Sequence, residues 1–253
     1  MKTGWKNNIH TLIATILNLI LPRACAGCRK SNESFCENCQ ALSYKYGAHC
    51  LICGFRNNDG KICPACHTWK LGFQMETEFP RALKNVLWAG KYDGALREAV
   101  RQFKYRRRKE LAEPLAQMLI KKFYEIHLTL QKDNFLIIPM PLHFKKEYER
   151  RFNQAELLAQ KFSEVSGIEI KNNVLTKIKE TPAQVEVKDK EKRIKNLEGA
   201  FSVAENVPSF TKHKTIILID DVSTTGATLI HAARTLEQSG AEKIIGLVAA
   251  HGA

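Results

Sequence analysis

The sequence predicts an α/β protein, with a parallel twisted sheet flanked by helices, that follows a small cysteine-rich metal-binding domain. From about residue 80 onward, short apolar runs alternate with amphipathic helical segments, which is the pattern of a parallel sheet. Every cysteine lies before residue 67, in C-x-x-C pairs. A chain of 253 residues that is 44% hydrophobic is long enough for both parts and is not globally disordered.

The first predicted element is an amphipathic helix over residues 1–23. Its apolar run from Ile9 to Leu21 is too short to span a bilayer, and its apolar residues recur at helical spacing. A signal peptide is the alternative, but "PRAC" is a poor cleavage site and the run adjoins the first cysteine pair. We therefore expect no membrane span and a cytoplasmic location.

The cysteines predict a double zinc ribbon over residues 24–70. This stretch has little hydrophobic periodicity, so metal has to replace a core there. Two C-x-x-C turns complete one tetrahedral zinc site; a redox-active dithiol is the alternative. Sequential pairing needs the shortest loop closures, with interleaved pairing as the other arrangement. The sequential sites are Cys25, Cys28, Cys36 and Cys39, and then Cys50, Cys53, Cys63 and Cys66.

The second domain is predicted over residues 80–253. Continuous apolar runs predict strands that are buried on both faces of the sheet. The predicted strands are 85–90, 135–140, 214–220 and 243–250. The predicted helices are Ala95–Tyr105, Ala112–His127, Asn153–Ser166 and Ala227–Ser239.

The segment "ILIDDVSTTGATL" at 217–229 predicts an anion site with a diol site beside it. It places a hydroxyl-rich loop between a strand and a helix N-terminus, where backbone N–H groups and the helix dipole favour a phosphate. Gly226 allows close backbone approach. The acids Asp220 and Asp221 would repel a bare phosphate but would accept hydrogen bonds from ribose hydroxyls, directly or through Mg²⁺.

This segment resembles the phosphoribosyl pyrophosphate (PRPP) signature of type I phosphoribosyltransferases. Three further stretches resemble the ComF/GntX family of competence proteins within that group. They are "YDGALREAVRQFKY" at 92–105, "PMPLHFKKEYERRFNQAELLAQ" at 139–160 and "TPAQVEVKDKEKRIKNLEGAF" at 181–201. The family also carries a cysteine zinc ribbon after a lead such as "LPRAC", so the resemblance covers nearly the whole chain and implies a type I phosphoribosyltransferase fold.

The resemblance implies roles for individual residues. Asp220 and Asp221 would hold the ribose diol with Mg²⁺, and residues 142–151 would form a mobile loop over the site. The PRPP-binding loop would be Ser223, Thr224, Thr225, Gly226, Ala227 and Thr228. Residues on the pyrophosphate side would be Lys104, Tyr105, Lys145, Lys146, Arg150 and Arg151.

Two features of the sequence bear on turnover. The family's R-G-F-N-Q reads "RRFNQ" here, which places Arg151 at the hinge of the predicted loop. Positions 222–225 carry no acid that could act as base toward an acceptor. The sequence therefore predicts a PRPP site and leaves the acceptor open.

The formal net charge of +13, from 39 Lys+Arg against 26 Asp+Glu, favours a polyanionic partner. The stretch "KYRRRK" at 104–109 surrounds one tyrosine with cations, which suits single-stranded DNA, although most charge runs are solvated faces. The candidate DNA-binding residues are Lys104, Arg106, Arg107, Arg108 and Lys109.

We therefore expect a PRPP-binding, phosphoribosyltransferase-like protein of DNA uptake and natural transformation. It would act beside DNA-uptake helicases or processing proteins. One alternative is a nucleotide-salvage enzyme with a small-molecule acceptor. The other is a PRPP or nucleotide sensor without turnover.

Overall fold

The structure is a computed structural model that describes residues 24–30, 32–50, 56–57, 63, 80–126, 131–180, 197–204 and 213–252. The predicted helix over 1–23 lies outside the described residues. The same holds for Cys53, Cys66 and most of the 181–201 segment.

The helices and strands follow the predicted alternation. In chain order the structure contains α1 (Glu37–Ser43), β1 (Ala48–His49), β2 (Arg56–Asn57), β3 (Leu83–Lys91), α2 (Gly94–Tyr105), α3 (Ala112–Ile126), β4 (Phe135–Pro139), α4 (Phe144–Arg150), α5 (Gln154–Ser166), β5 (Leu175–Lys177), β6 (Phe201–Val203), β7 (Thr215–Ser223), α6 (Ala227–Gln238) and β8 (Lys243–His251). Short 3₁₀ turns precede α3 and β4.

The main sheet has four parallel strands in the order β3-β8-β7-β4. Its central strands β7 and β8 are the most apolar runs of the sequence, and β8 is buried from Ile244 to His251. One face packs against α2, α3 and α5, and the other packs against α6 and the pair β5 and β6. This arrangement confirms the predicted fold class, with both faces of the sheet covered by helices.

Two elements differ from the expected organisation. Residues 144–150, inside the segment expected to be a mobile loop, form the helix α4, which buries none of its side chains. The strands β5 and β6 form a separate antiparallel pair, with Leu175 opposite Val203. No helix in the described part of the chain is long and apolar enough to cross a membrane.

The sequence predicted that metal replaces a hydrophobic core in the cysteine-rich region. In the structure, the described residues of this region instead share a buried apolar cluster with the α/β domain. Phe35 and Cys36 belong to the same buried cluster as Leu96 and Phe103 of α2. Tyr44 forms an isolated β-bridge with Gly90, where a side chain on residue 90 would meet the Ser43 carbonyl oxygen at 2.5 Å. The described part of the cysteine-rich region is therefore packed onto the α/β domain through apolar contacts.

A buried polar network also joins the two regions. The Lys122 side chain is fully buried in α3 and donates hydrogen bonds to the carbonyl oxygens of Lys45 and Gly47. It pairs with Glu125, whose carboxylate also accepts from the Tyr44 hydroxyl at 2.7 Å. One ion pair of α3 therefore supplies hydrogen-bond partners to both backbone and side-chain groups of residues 44–47.

Candidate PRPP site and metal centre

The two acids lie at the carboxyl end of β7, at the edge where doubly wound sheets bind ligands. β7 continues to Ser223, so Asp220 and Asp221 lie within the last four residues of the strand and not in the following loop. The backbone N–H of Asp221 donates to Asp220 Oδ1 at 2.8 Å, which orients the Asp220 carboxylate relative to the strand backbone.

Lys104 reaches this pair from the last turn of α2. Its Nζ lies 2.8 Å from Asp221 Oδ1, and both side chains are largely buried. Burial lowers the pKa of Lys104, but the charge and hydrogen bond of Asp221 and the charge of Asp220 together outweigh burial and raise the pKa, so the lysine stays charged. The sequence-predicted Lys104 and Asp221 are thus brought together, although 117 positions separate them in the chain.

The surroundings of Asp220 favour its neutral form, whereas those of Lys104 favour its charged form. Burial and then the neighbouring Asp221 charge raise the pKa of its carboxyl to about 7, and the Lys104 charge only partly opposes them. Lys177, at the end of β5, is close enough for its charge to lower that pKa. Burial and the charge of Lys146 in turn lower the pKa of Lys177 to about 8. The site therefore holds an acid and a lysine that both titrate near neutral pH.

The loop after the acids leads directly into α6. Gly226 has φ 74°, in the left-handed region that glycine adopts without strain, and α6 begins at Ala227. The Ala227 N–H donates to Thr225 Oγ1 at 3.4 Å. The first N–H groups of a helix have no acceptor within the helix, so this loop has the local structure of an anion site.

Two of the predicted pyrophosphate-side residues, Tyr105 and Arg150, contact each other between α2 and α4. The Arg150 guanidinium lies 5.3 Å from the Tyr105 ring centroid and donates to Gln154 Oε1 at 2.9 Å. Arg151, which stands where the family has glycine, ends α4 with φ 68°. A left-handed residue is therefore required at this position, and here an arginine adopts that conformation at some cost in backbone strain.

The basic stretch divides into exposed and structural cations. Arg106 and Arg107 are exposed, as is Lys109, whose Nζ lies 5.1 Å from the Phe152 ring. Arg108 is partly buried: it pairs with Glu110 at 2.8 Å and donates to the Ala24 carbonyl oxygen. Lys104 is occupied by Asp221. Of the predicted DNA-binding residues, Arg106, Arg107 and Lys109 are therefore exposed, whereas Lys104 and Arg108 are partly buried and paired with acids.

The first cysteine group forms a compact cluster that could hold one metal ion. The Sγ atoms of Cys25, Cys28, Cys36 and Cys39 lie within 4.8 Å of one another. The geometry fits the closed tetrahedral ligand set of structural zinc. It also matches the sequential pairing for this group.

The surroundings of Cys25 favour its thiolate form, whereas burial and the neighbouring cysteines raise the pKa of Cys39. The N–H groups of Gly27 and Cys36 point at Cys25 Sγ at 3.3 and 3.4 Å. Burial raises the pKa of Cys25, but backbone hydrogen bonds, led by that of Cys36, outweigh it and lower the pKa to about 6. A side chain on residue 27 would meet Cys39 Sγ at 2.8 Å, so glycine is needed there. In the second group, the Cys63 N–H donates to Cys50 Sγ at 3.4 Å.

One site residue could not be identified from the sequence. Lys177 lies in a short strand with no motif of its own, and only the tertiary fold places it near Asp220. It lines a cavity of about 140 Å³ below the carboxyl end of β4, together with Pro139, Leu142 and Asn172. No sequence pattern marks Lys177 as a site residue, because it lies in a strand of only three residues.

Comparison with known proteins agrees with this geometry. Residues 154–252 match the phosphoribosyl transferase domain. The chain is 29% identical to "Competence protein F" of Haemophilus influenzae, over 87% of this chain and 86% of that protein. It is 28% identical to "Competence protein ComFC" of Bacillus subtilis, over 83% and 81%. It is 26% identical to "DNA utilization protein YhgH" of Salmonella typhimurium, over 89% and 96%.

These relatives match over most of the chain, so the similarity extends beyond the domain match at 154–252. The parallel sheet covered by helices and the four-cysteine cluster are the two structural features that the sequence resemblance implied. The chain is therefore similar to the ComF-type competence proteins over most of its length and contains a phosphoribosyl transferase domain at 154–252, and its cysteine-rich N-terminal region fits a zinc ribbon.

Proposed function

We propose that the protein binds PRPP with Mg²⁺ at the carboxyl end of β7. The observation that carries this proposal is the adjacent pair Asp220 and Asp221, directly before a hydroxyl-rich entry into α6. The acids would hold the ribose diol and the ion, and the helix entry would hold the 5′-phosphate. The phosphate-side residues of this proposal are Ser223, Thr224, Thr225, Gly226, Ala227 and Thr228.

Lys104, Tyr105, Arg150 and Arg151 would lie on the side of the leaving pyrophosphate. Cations at that position would stabilise the negative charge that develops on pyrophosphate as the anomeric bond of the ribose breaks. Mg²⁺, when bound, would neutralise part of the same charge. Lys104 already holds one of the two acids, so it can respond directly to ligand binding at Asp221.

The cellular role that we propose is in DNA uptake, in the cytoplasm, beside helicases or processing proteins that handle the incoming strand. The support is the printed names of the relatives, "Competence protein" and "DNA utilization protein". The +13 charge and the exposed Arg106 and Arg107 support binding of single-stranded DNA.

A nucleotide-salvage phosphoribosyltransferase and a PRPP or nucleotide sensor without turnover are the competing functions. Pyrophosphate release from PRPP separates the three. Release that requires DNA supports the DNA-uptake role, and release with a free nucleobase alone supports salvage. Tight PRPP binding without release under any condition supports a sensor, which the absence of an acid at 222–225 favours.

PRPP affinity in Mg²⁺ is expected to rise with pH through about 7. The folded pKa of Asp220 is raised from 3.8 to about 7, so the carboxyl is protonated below that pH and cannot hold the ion. The same shift means that protonation stabilises the folded, ligand-free protein, and that this contribution is lost as pH rises from about 4 through 7. Calorimetric titration of PRPP at several pH values measures the effect.

The matched control for the pH series is Asp220→Asn. Because PRPP has a phosphate that titrates near pH 6, both proteins share that part of the profile. Only the parent should show the additional rise near pH 7. Identical profiles for the two proteins would refute the assignment of Asp220 to the ion.

Two zinc ions per chain are expected, one in each sequential group of cysteines. The double variant Cys25→Ser/Cys36→Ser should lose one zinc, because both thiols lie in the described cluster. Cys25→Ser/Cys50→Ser should lose both, because it removes one ligand from each proposed site. Elemental analysis of the purified proteins makes the comparison. One zinc in the parent would contradict the two-site proposal, and one retained zinc in Cys25→Ser/Cys50→Ser would contradict the sequential pairing.

A further inference from the structure

Exposed aromatic side chains are concentrated where α4 meets the end of α2. The side chains of Phe144 and Tyr148 are each 70% exposed, and that of Tyr105 is 64% exposed. They account for three of the five exposed aromatic side chains among the described residues. Rings of this size bury a large area when they have a partner, so leaving three of them in water at one place points to a binding surface.

Each of the two tyrosines lies beside an arginine. The Arg150 guanidinium is 5.3 Å from the Tyr105 ring centroid, and the Arg151 guanidinium is 4.7 Å from the Tyr148 ring centroid. Phe144 and Tyr148 are four residues apart on α4 and so share one helical face. Arg150 and Arg151 are adjacent in sequence, so their two ring contacts place Tyr105 and Tyr148 around the same C-terminal end of α4.

The charge of this surface is positive. Residues 104–109 carry five cations and no acid, and residues 144–151 carry four cations against Glu147 and Glu149. Some of these cations are already paired: Lys145 contacts Glu180, and Arg108 contacts Glu110. The exposed Arg106, Arg107 and Arg151 lie next to the rings in sequence or in space.

We propose that this surface binds single-stranded nucleic acid, with bases stacked on the rings and phosphates paired with the arginines. We call it the aromatic–cation surface; its residues are Tyr105, Arg106, Arg107, Phe144, Tyr148, Arg150 and Arg151. The DNA partner rests on the proposed function, whereas the inclusion of α4 rests on the exposed rings. Base faces are available in a single strand but are covered by stacking in a duplex, and a basic surface without rings would not distinguish the two.

The surface ends at the candidate PRPP site. Tyr105 follows Lys104, whose Nζ is 2.8 Å from Asp221. Arg150, which contacts the Tyr105 ring, also lies close enough to Lys104 for its charge to act on that lysine, so a base stacked on Tyr105 would lie near the side chain that contacts the acids. This proximity makes a nucleotide of the bound strand the class of acceptor, or of ligand, that the site would meet.

The test measures binding of a fluorescein-labelled oligothymidylate to the parent and to Phe144→Ala/Tyr148→Ala by anisotropy. Stacking contributes about 1–3 kcal/mol per base, so affinity should fall about fivefold to more than hundredfold for each ring that is used. The slope of log affinity against log salt should not change, because no cation is removed. Tyr148→Phe, which keeps the ring, should bind like the parent.

Tyr46→Ala is the matched control. Tyr46 is 61% exposed and has Lys121 Nζ 4.8 Å from its ring centroid, but it packs beside α3 and not on the aromatic–cation surface. Its loss should leave oligothymidylate binding unchanged. Arg106→Ala/Arg107→Ala should instead make the salt slope shallower, because cations that pair with phosphates are lost.

The outcomes separate this inference from the proposed function. If the parent does not bind the oligonucleotide, the DNA-binding function fails and the inference fails with it. If the parent binds but Phe144→Ala/Tyr148→Ala binds equally well, the function stands and the aromatic–cation surface is wrong. If the parent binds a duplex as tightly as the single strand, and loss of the rings does not change duplex binding, base stacking on the rings is also excluded. The urea unfolding transition of Phe144→Ala/Tyr148→Ala should match that of the parent, because both residues are exposed, which verifies that the variant is folded.

Discussion

Replacing Glu125 by alanine is expected to lower the free energy of unfolding by about 3 kcal/mol. Removing one partner of a buried ion pair leaves a buried charge without compensation, at a cost of about 3–5 kcal/mol. The Lys122 side chain is 1% exposed and would keep the carbonyl oxygens of Lys45 and Gly47 and its contact with the Tyr44 ring, but no negative charge. The expected loss is at the lower end because the Glu125 side chain is 25% exposed.

The chain supplies a control with the same sequence spacing. Lys161 and Glu164 also form an i,i+3 pair, at 2.6 Å, but their side chains are 38% and 59% exposed. Glu164→Ala should lower the stability by less than about 1 kcal/mol, because exposed pairs are solvated and screened. Urea unfolding followed by circular dichroism measures both variants. Equal losses would mean that the buried network does not hold the ribbon on the core.

Replacing Gly226 by valine is expected to weaken PRPP and inorganic phosphate alike, by about hundredfold. Valine is disfavoured at φ 74°, and its branched side chain would lie where the loop backbone has to approach a phosphate. One hydrogen bond to a charged group contributes about 1.5–3 kcal/mol, so the loss of one or two N–H contacts accounts for that factor. Calorimetric titration with PRPP and with phosphate measures it.

Gly167→Val separates the local effect from general strain. Gly167 also has positive φ, 69°, at the C-terminal end of α5 and away from the candidate site. Only the Lys132 side chain approaches a Cβ built there, at 3.7 Å. Both variants should be less stable than the parent, but Gly167→Val should bind PRPP normally. A similar loss of PRPP affinity in both variants would attribute the effect to stability and not to the phosphate loop.

The four sheet strands could be predicted from the sequence because their apolar runs are buried on both faces. β7 and β8 can be predicted without knowing which strands pair with them, since Ile216–Ile219 and Ile244–Ala250 are apolar at nearly every position. α4 could not be predicted in the same way, because it has no apolar stripe and buries none of its side chains. β5 and β6 are three residues each and exist only through their mutual pairing.

The candidate site likewise has one part that the sequence predicts and one part that depends on the tertiary fold. The acids and the loop to Thr228 are contiguous, so one short motif identifies them. The contacts that tune the acids come from distant segments: Lys104 from α2 and Lys177 from β5. The Lys122 network was not predicted, because a lysine in an amphipathic helix is normally solvated and only the docked ribbon buries it.

The most direct test of the central claim is calorimetric titration of PRPP, with Mg²⁺ present, into the parent, Asp220→Asn and Asp221→Asn. If the acids hold the ribose diol and the ion, PRPP affinity should fall about tenfold to hundredfold in each variant. Inorganic phosphate should bind the variants as well as the parent or better, because local negative charge has been removed. If both variants bind PRPP like the parent, the end of β7 is not the PRPP site and the account is wrong.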